Sequence, residues 1–461
     1  MALCHSKPHQ SNKNVSFHPI LDFMTQIKET GTNDRSFEQI EAEVRCLMNQ
    51  LESSILGECL EQFDIQTKLI VKNGQQYRHV LREEKNYLTC AGPVRVERSL
   101  YRGPDGDNIC PLELQAGIIE GSWTPSAARI GYYVTALISP YQGEKLFKEF
   151  ERFTPSKSAL DRLSRQIGCQ WETNHNDFFG VLSEQITVPN EATSISASFD
   201  GIMLPMKTKP KKAKDEKKTY YKEAACAAVC FYDKAGQRLS TLRFGRMPEA
   251  KKATLKSELS QTIENIIHKN RALTLVKVAD GARDNWRYLG GTLMPNEGIE
   301  ILDFYHASEH LNKAFEAAYG KKSTVGKSQY EKYRSILKHD DIGAKRVIRA
   351  LIYLHKKHPK RKELLGELNY FKNNLARMNY ADLAKNNLPI GSGVTEASCK
   401  TLVTQRMKCS GMRWDIAGGQ GVLTARSLIQ SERFDAGWNL LSGSYKEMIE
   451  LPKNVALFGR K

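Results

Sequence analysis

Apolar residues recur along this chain with two different periods, and the changes from one to the other divide it into regions. From Ser36 to Phe63, Phe37, Ile40, Val44, Leu47, Leu51 and Ile55 return every three or four residues, which predicts an amphipathic helix. Residues 68 to 103 alternate instead (KLIVKNG, RHVL, VRVERSLYRG) and are broken by Asn-Gly and Gly-Pro, so a few short strands are expected. Helical spacing comes back from Ser126 to about Gly168. There GEKLFKEFERF follows Ser139-Pro140, Thr154-Pro155 makes a turn, and SKSALDRLSRQIG makes a second helix.

The middle of the chain has the clearest pattern. TSISASFDGIML alternates and predicts a strand carrying Asp200 near its centre. YYKEAACAAVCFYD and RLSTLRFGR supply two more strands across a short Lys-Ala-Gly turn. ATLKSELSQTIENIIHKN is a helix with Leu255, Leu259, Ile263 and Ile266 on one face. LTLVKVADG reads as a buried strand ending at Asp280-Gly281; a short helix (RDNWRYLG) and a further strand (IEILDFYHA) follow. This order predicts a mixed α/β fold and matches a ribonuclease H-like layout, in which three antiparallel strands continue into parallel βαβ. From His310 to Tyr380 the pattern is helical throughout. Gly391–Trp414 (GSGVTEASCKTLVTQRMKCSGMRW) then places Glu396 at the mouth of a helix, and Ala417–Trp438 is a last helix carrying Arg426.

These patterns give a flexible tail over 1–32, a helix plus short strands over 33–124, and a helix-turn-helix region over 125–190. The first part of an α/β core spans 191–310, an α-helical insertion 311–385, and the second part of the core with a C-terminal tail 386–461. The expected fold class is α/β: a ribonuclease H-like core with a helical insertion, behind a mainly helical N-terminal DNA-binding region.

Composition changes this picture mainly through charge. The 461 residues are 40% hydrophobic and 26% charged, with a net charge of +16. Lys321 to Tyr380 holds 16 lysines and arginines against 5 acids, and a second basic cluster runs from Lys207 to Lys218. Basic faces this dense imply a polyanion, and nucleic acid first. The competing reading is a solvated surface. No apolar run has the length of a membrane span, and the first residues are too polar for a secretory signal, so a cytoplasmic, nucleoid-associated protein is expected. The ten cysteines form no CxxC pair, which argues against a disulfide scaffold or zinc ribbon.

Three acids carry the candidate chemistry. Asp200 lies on the first core strand, Asp280 at the end of the fourth, and Glu396 on the helix after the insertion. Carboxylates so placed are hard ligands for Mg²⁺ or Mn²⁺, the metals of in-line phosphoryl displacement. Each acid has an ordinary explanation too: Asp-Gly favours turns, and an acid in a first helical turn complements the helix dipole.

The blocks SFDG, VADGARDNW, LDFYHASEHL and GSGVTEASCK…QRMKCSGMRW, in that order, resemble the signature blocks of bacterial insertion-sequence transposases of the ISKra type, which are DDE enzymes related to Mutator-like transposases. The resemblance covers roughly residues 190–440. It implies Asp200, Asp280 and Glu396 as a catalytic, metal-binding triad, with Asp303 the other candidate for the second ligand and His306 and His310 in support. It also implies Mg²⁺ (or Mn²⁺), double-stranded DNA as partner (terminal inverted repeats and target) and a homo-oligomer, with no membrane role. Lys157, Arg162 and Arg165 on the second helix of the helix-turn-helix are candidate DNA contacts. So are Lys400, Arg406, Lys408, Arg413 and Trp414 after Glu396, whose ordinary alternative is helix-end cations and a packed indole.

Three rivals remain. His306-Ala-Ser-Glu309-His310 fits H-x-x-E-H, the inverted zincin pattern of a metalloprotease. A non-catalytic DNA-binding relative and a nuclease using water as its only nucleophile are the others.

Overall fold

The computed structural model describes residues 17–30, 35–207 and 220–452. Residues 1–16 of the expected tail and all of the basic Lys207–Lys218 cluster except Lys207 lie outside them. The chain forms two compact units, residues 1–174 with 435–461, and residues 175–434.

The first unit begins with two helices, α1 (His18–Thr30) and α2 (Phe37–Glu61). The expected tail is therefore helical over residues 18–30. Ile20, Phe23 and Ile27 are its half-buried positions, a helical stripe too short and too interrupted by polar residues to stand out. Ser36 and Gln39 form a reciprocal capping box that starts α2. An antiparallel sheet follows: β1 (Leu69–Lys72), β2 (Gln75–Thr89), β3 (Gly92–Arg102) and β4 (Asn108–Ile109), in that order. Its two central strands are long, not short, although charged residues crowd them. Cross-strand ion pairs such as Arg82–Glu97 (3.1 Å) and Arg98–Glu83 (2.5 Å) account for that, since opposite charges facing across a pair support strands that propensity alone would not. The N-terminal unit thus sets a four-stranded sheet among its helices.

After α3 (Pro111–Ala116), three helices pack on one another: α4 (Pro125–Leu137), α5 (Pro140–Phe150) and α6 (Lys157–Thr173). Ser139 caps α5 and Ser156 caps α6. The buried face of α6 is Leu160, Leu163, Ile167 and Trp171. The chain's last helix, expected as one piece over Ala417–Trp438, is two: α17 (Ile416–Gln430) and α18 (Phe434–Gly443), separated where Glu432 takes φ +56°. From Asp435 the chain folds with the first unit: Trp438 packs on Tyr132 (ring centroids 6.4 Å), and Glu450 bridges to Val71.

The second unit opens with α7 (His175–Glu184) and is built on β5 (Ser194–Met206), β6 (Tyr220–Tyr232), β7 (Arg238–Arg246), β8 (Thr274–Ala279) and β9 (Ile299–Leu302), in the order β7-β6-β5-β8-β9. The first three are antiparallel, and β8 and β9 run parallel to β5. Along β5, Ile195, Ala197 and Phe199 join a core with Leu255, Leu259 and Ile263 of α8 (Ala253–Lys269). On β8, Val276 and Val278 belong to a second core filled by helices. These are α10 (Phe304–Tyr319), α11 (Thr324–His339), α12 (Gly343–Lys357) and α13 (Lys362–Asn373), followed by α14 (Tyr380–Lys385). Leu311, Leu351 and Phe371 are fully buried there, each contributing about 1.5–3 kcal/mol. The helical insertion is thus fastened to the sheet through a shared core. The strand expected over IEILDFYHA stops at Leu302, because Asp303 caps α10. Among the described residues no helix is long and apolar enough to cross a membrane.

Candidate active site

Parallel pairing sets the site. β5 and β8 are in register through Ser198↔Val278, so Asp280, just past the end of β8, comes beside Asp200, which sits midway along β5 where that strand runs on past β8. β8 and β9 pair through Ala279↔Leu302, which puts Asp303 level with Asp280 on its other side. Asp280 and Asp303 thus stand at the carboxyl ends of two parallel strands, where open α/β sheets place their ligands, and Asp200 lies beside Asp280 midway along the longer β5.

Their surroundings differ. Asp200 is half-buried and its Oδ1 accepts the Gly201 amide (2.7 Å). Burial pushes its carboxyl above the usual range and the Asp280 charge adds to this, while His306 and Lys252 pull the other way. Asp280 uses Oδ1 to accept the Ala282 amide (3.1 Å) and Asn285 Nδ2 (2.8 Å), and its carbonyl accepts Trp286 Nε1 (2.7 Å). These bonds tie the strand end to the start of α9 (Arg283–Leu289).

Asp303 has no exposed surface. Its Oδ1 accepts the amides of Tyr305 (2.6 Å) and His306 (3.0 Å), and its Oδ2 accepts both the amide and the hydroxyl of Ser392. Burial raises its pKa, but His306 and the Ser392 donors outweigh that and hold it at about 2. Conversely, the Asp303 carboxylate, 3.8 Å from His306 Nδ1, lifts that imidazole to about 9 against the effect of burial. Both oxygens of Asp303 are thus taken up within the chain. It joins the end of β9 to the segment entering α15 (Gly393–Ser398).

Glu396 lies on α15, which packs across the face of β5 that carries Ser198 and Asp200. The Ser198 and Thr395 hydroxyls are hydrogen-bonded, and Val394 packs on Ala228, Cys230 and Tyr232 of β6. Glu396 itself is exposed. The helix continues as a π-helical turn, Cys399–Thr404, and then α16 (Gln405–Met407). Among the described residues no group of three or more His, Cys, Asp and Glu is gathered closely enough to hold a metal ion. Asp200 and Asp280 are suitable hard donors whose mutual repulsion a cation would relieve; Glu396 does not complete the set here.

The other candidates separate into surface and core. Lys157 and Arg162 are exposed on α6, and Arg165 is half-buried. Lys400, Lys408 and Arg413 are exposed. Arg406 is not available for a DNA contact: it is 3% exposed and its guanidinium lies 5.4 Å from the centre of the Trp414 ring. Trp414 is also a packing residue. Its indole donates to the Met407 carbonyl (2.8 Å), and its backbone pairs with the end of β5. His306 and His310 do not converge as a zincin pair. His306 faces Asp303, while His310 Nδ1 meets Glu367 (2.6 Å) and its ring stacks on Tyr370 at 3.7 Å.

No family model and no curated protein matches the chain. Among solved structures, the Drosophila P element transposase strand transfer complex is similar over 71% of this chain and 82% of its own, with 11% identity and a TM-score of 0.26. A likeness that faint carries no statement about function.

Several residues at the site had no signal in the sequence. Ser392 reads as part of a Gly-Ser-Gly turn, Lys252 as a helix-start cation, and Tyr370 and Arg377 as members of a basic helical stretch. Only the folded chain brings them around the three aspartates.

Proposed function

We propose that this chain is a DNA transposase of the DDE class with a ribonuclease H-like core, similar to the ISKra type. It would cut phosphodiester bonds at the ends of its element and join the freed 3′-hydroxyls to target DNA. The observation that carries this reading is the side-by-side placement of Asp200, midway along β5, and Asp280, at the end of the adjacent parallel β8, on a sheet ordered β7-β6-β5-β8-β9. Asp303 is assigned to structure, because its oxygens already accept from four donors. Glu396 is the third acid, on the helix laid across the Asp200 face of β5.

Mg²⁺ or Mn²⁺ would take Asp200 and Asp280 as protein ligands, and when bound would supply charge neutralisation and an activated oxygen nucleophile. The chain's own part is to hold two carboxylates side by side on adjacent strands. His306, lifted to about 9 and therefore cationic at neutral pH, offsets their charge.

DNA is the partner this reading requires. The exposed faces of α6, with Lys157 and Arg162, and α12, with Lys345, Arg349, Lys356 and Lys357, are basic surfaces suited to phosphates. α4, α5 and α6 support a helix-turn-helix with α6 as the reading helix.

The test is strand cleavage and joining on end-containing DNA with Mg²⁺, for wild type and for Asp200→Asn, Asp280→Asn and Glu396→Gln. Loss of both steps in all three variants, with DNA binding kept, supports the triad. Wild-type rates in the two aspartate variants would sink it.

A further inference from the structure

The turn that carries Asp280 is held from two directions by the helical insertion. From α13, the Tyr370 ring lies against Gly281: a Cβ at that position would stand 3.0 Å from Tyr370 Cζ, so only glycine leaves room for the ring. From the segment after α13, Arg377 lies over the Trp286 ring at 4.3 Å and its Nε donates to Glu300 on β9 (2.7 Å). Trp286 in turn donates to the Asp280 carbonyl. The insertion therefore grips both ends of the segment from Asp280 to Trp286.

Tyr370 has a second property. Its ring is held on the far side by His310, stacked at 3.7 Å and 17°, which Glu367 fixes in place. Its hydroxyl is enclosed and has no hydrogen-bond partner. Leaving a buried hydroxyl unpartnered costs about 1–3 kcal/mol, so such a group in a well-packed region asks for an explanation. Burial keeps the phenol neutral, and the carboxylates of Asp280, Asp303, Glu367 and Glu309 reinforce this. A donor with no partner thus belongs to the ring packed on the Asp280-Gly281 turn, feels the Asp280 charge, and faces an aspartate with only Oδ1 engaged in hydrogen bonds.

We infer that Tyr370 and Arg377 are positioning residues for Asp280, a clamp through which the insertion sets the second aspartate of the catalytic pair. Arg377 and the Tyr370 ring fix the turn, and the Tyr370 hydroxyl donates to the Asp280 carboxylate once DNA is bound. This rests on the transposase reading for its consequence in catalysis, but the clamp itself can be measured without it.

Two readouts on the full-length chain are needed. The first is backbone hydrogen exchange over residues 280–289 without DNA. Tyr370→Ala with Arg377→Ala raises exchange there at least tenfold and leaves β5 and β6 unchanged; equal exchange in wild type and variant overturns the clamp. The second is single-turnover cleavage alongside DNA affinity. Tyr370→Phe keeps the ring and removes the hydroxyl, so the cleavage rate falls about tenfold while the DNA Kd stays the same, in line with the loss of one hydrogen bond. A Tyr370→Phe variant that cuts at the wild-type rate, or one whose loss lies in DNA affinity, overturns the role of the hydroxyl. If exchange responds as expected but wild type never cuts DNA, the transposase reading fails and the clamp stands. If Asp280→Asn stops cleavage while the clamp variants alter neither readout, the reading stands and the clamp fails.

Discussion

Asp280 and Asp303 hold matching places in the fold. Each follows the last residue of a parallel strand, the two strands pair in register, and each precedes a helix. Yet Asp303 is fully buried, accepts from four donors and is held at about 2, whereas Asp280 is half-buried and engages only one oxygen. The difference lies in the partners that reach each position. Ser392 arrives from the far end of the insertion and closes over Asp303; at Asp280, Gly281 and the insertion leave one oxygen uncommitted. Strand-end position makes a carboxylate a candidate. An unspent lone pair makes it usable for chemistry.

The comparison breaks most visibly in catalysis. Asp280→Asn keeps the bonds made by Oδ1 and removes the charge, so cleavage should drop on the order of 10³-fold, the scale of losing a key electrostatic group. The melting temperature should hardly move. Asp303→Asn should do the reverse, lowering stability while the folded fraction still cuts. Single-turnover rates, corrected for folded fraction by circular dichroism, decide between them. An inactive but fully stable Asp303→Asn would exchange the two roles.

Next in size is the packing effect of Asp303. Asp303→Ala leaves the Ser392 hydroxyl and amide and two α10 amides without their acceptor, and a buried network broken on one side costs about 3–5 kcal/mol. Urea denaturation should show that loss together with a chain that refolds. A change under about 1 kcal/mol, the range of a surface site, would mean that Asp303 is not the fastener described here.

The Asp303–His306 pair also gives a pH signature. Asp303 falls from 3.8 to about 2, so its stabilisation is present above pH 4 and lost as pH falls through about 2. His306 rises from 6.5 to about 9, so its stabilisation is complete below pH 6.5 and lost as pH climbs through about 9. At about 1.4 kcal/mol per unit, the acid limb is about 2–3 kcal/mol and the alkaline limb about 3–4 kcal/mol; the contact between the two residues enters both, and the Ser392 donors add to the first. Asp303→Asn should flatten both limbs of the stability–pH curve. If His306→Gln leaves the alkaline limb as it is in wild type, another group produces it.

The same pair marks where sequence reading works and where it stops. The elements of β5 to β9 and α8 are legible because periodicity records burial: α8 buries one face, while β6 and β8, covered on both faces, read as nearly continuous apolar runs. The end of β9 is not legible, since Asp303 sits inside an apolar run and its capping role depends on Tyr305, His306 and Ser392 folding around it. Arg406 and Trp414 read as a DNA-facing pair because cations and an indole side by side suit phosphates and bases. Their stacking against the β5 end is a tertiary contact that spacing does not encode. The insertion's charge was legible. Its hold on the Asp280 turn, through a tyrosine and an arginine about ninety residues downstream, was not.

The smallest expected effect concerns Asp200, the partner that makes Asp280 half of a pair. Burial first, and then the Asp280 charge, raise its carboxyl above the ordinary 3.8, so the fold disfavours its ionised form. The sign follows from linkage. The folded state holds its proton more tightly than the unfolded state does, so this penalty is absent at low pH and grows as pH rises through the folded pKa. Asp200→Asn removes the penalty while keeping the shape, and should therefore raise the melting temperature at pH 7 while abolishing cleavage. Sites built for chemistry give up stability in this way. Near pH 3, where the wild-type group is largely protonated in the fold, the gain should disappear. Thermal denaturation at both pH values is the check. A variant less stable than wild type at pH 7 would show that Asp200 is a structural carboxylate like Asp303, and the contrast between the strand ends would then belong to Asp280 alone.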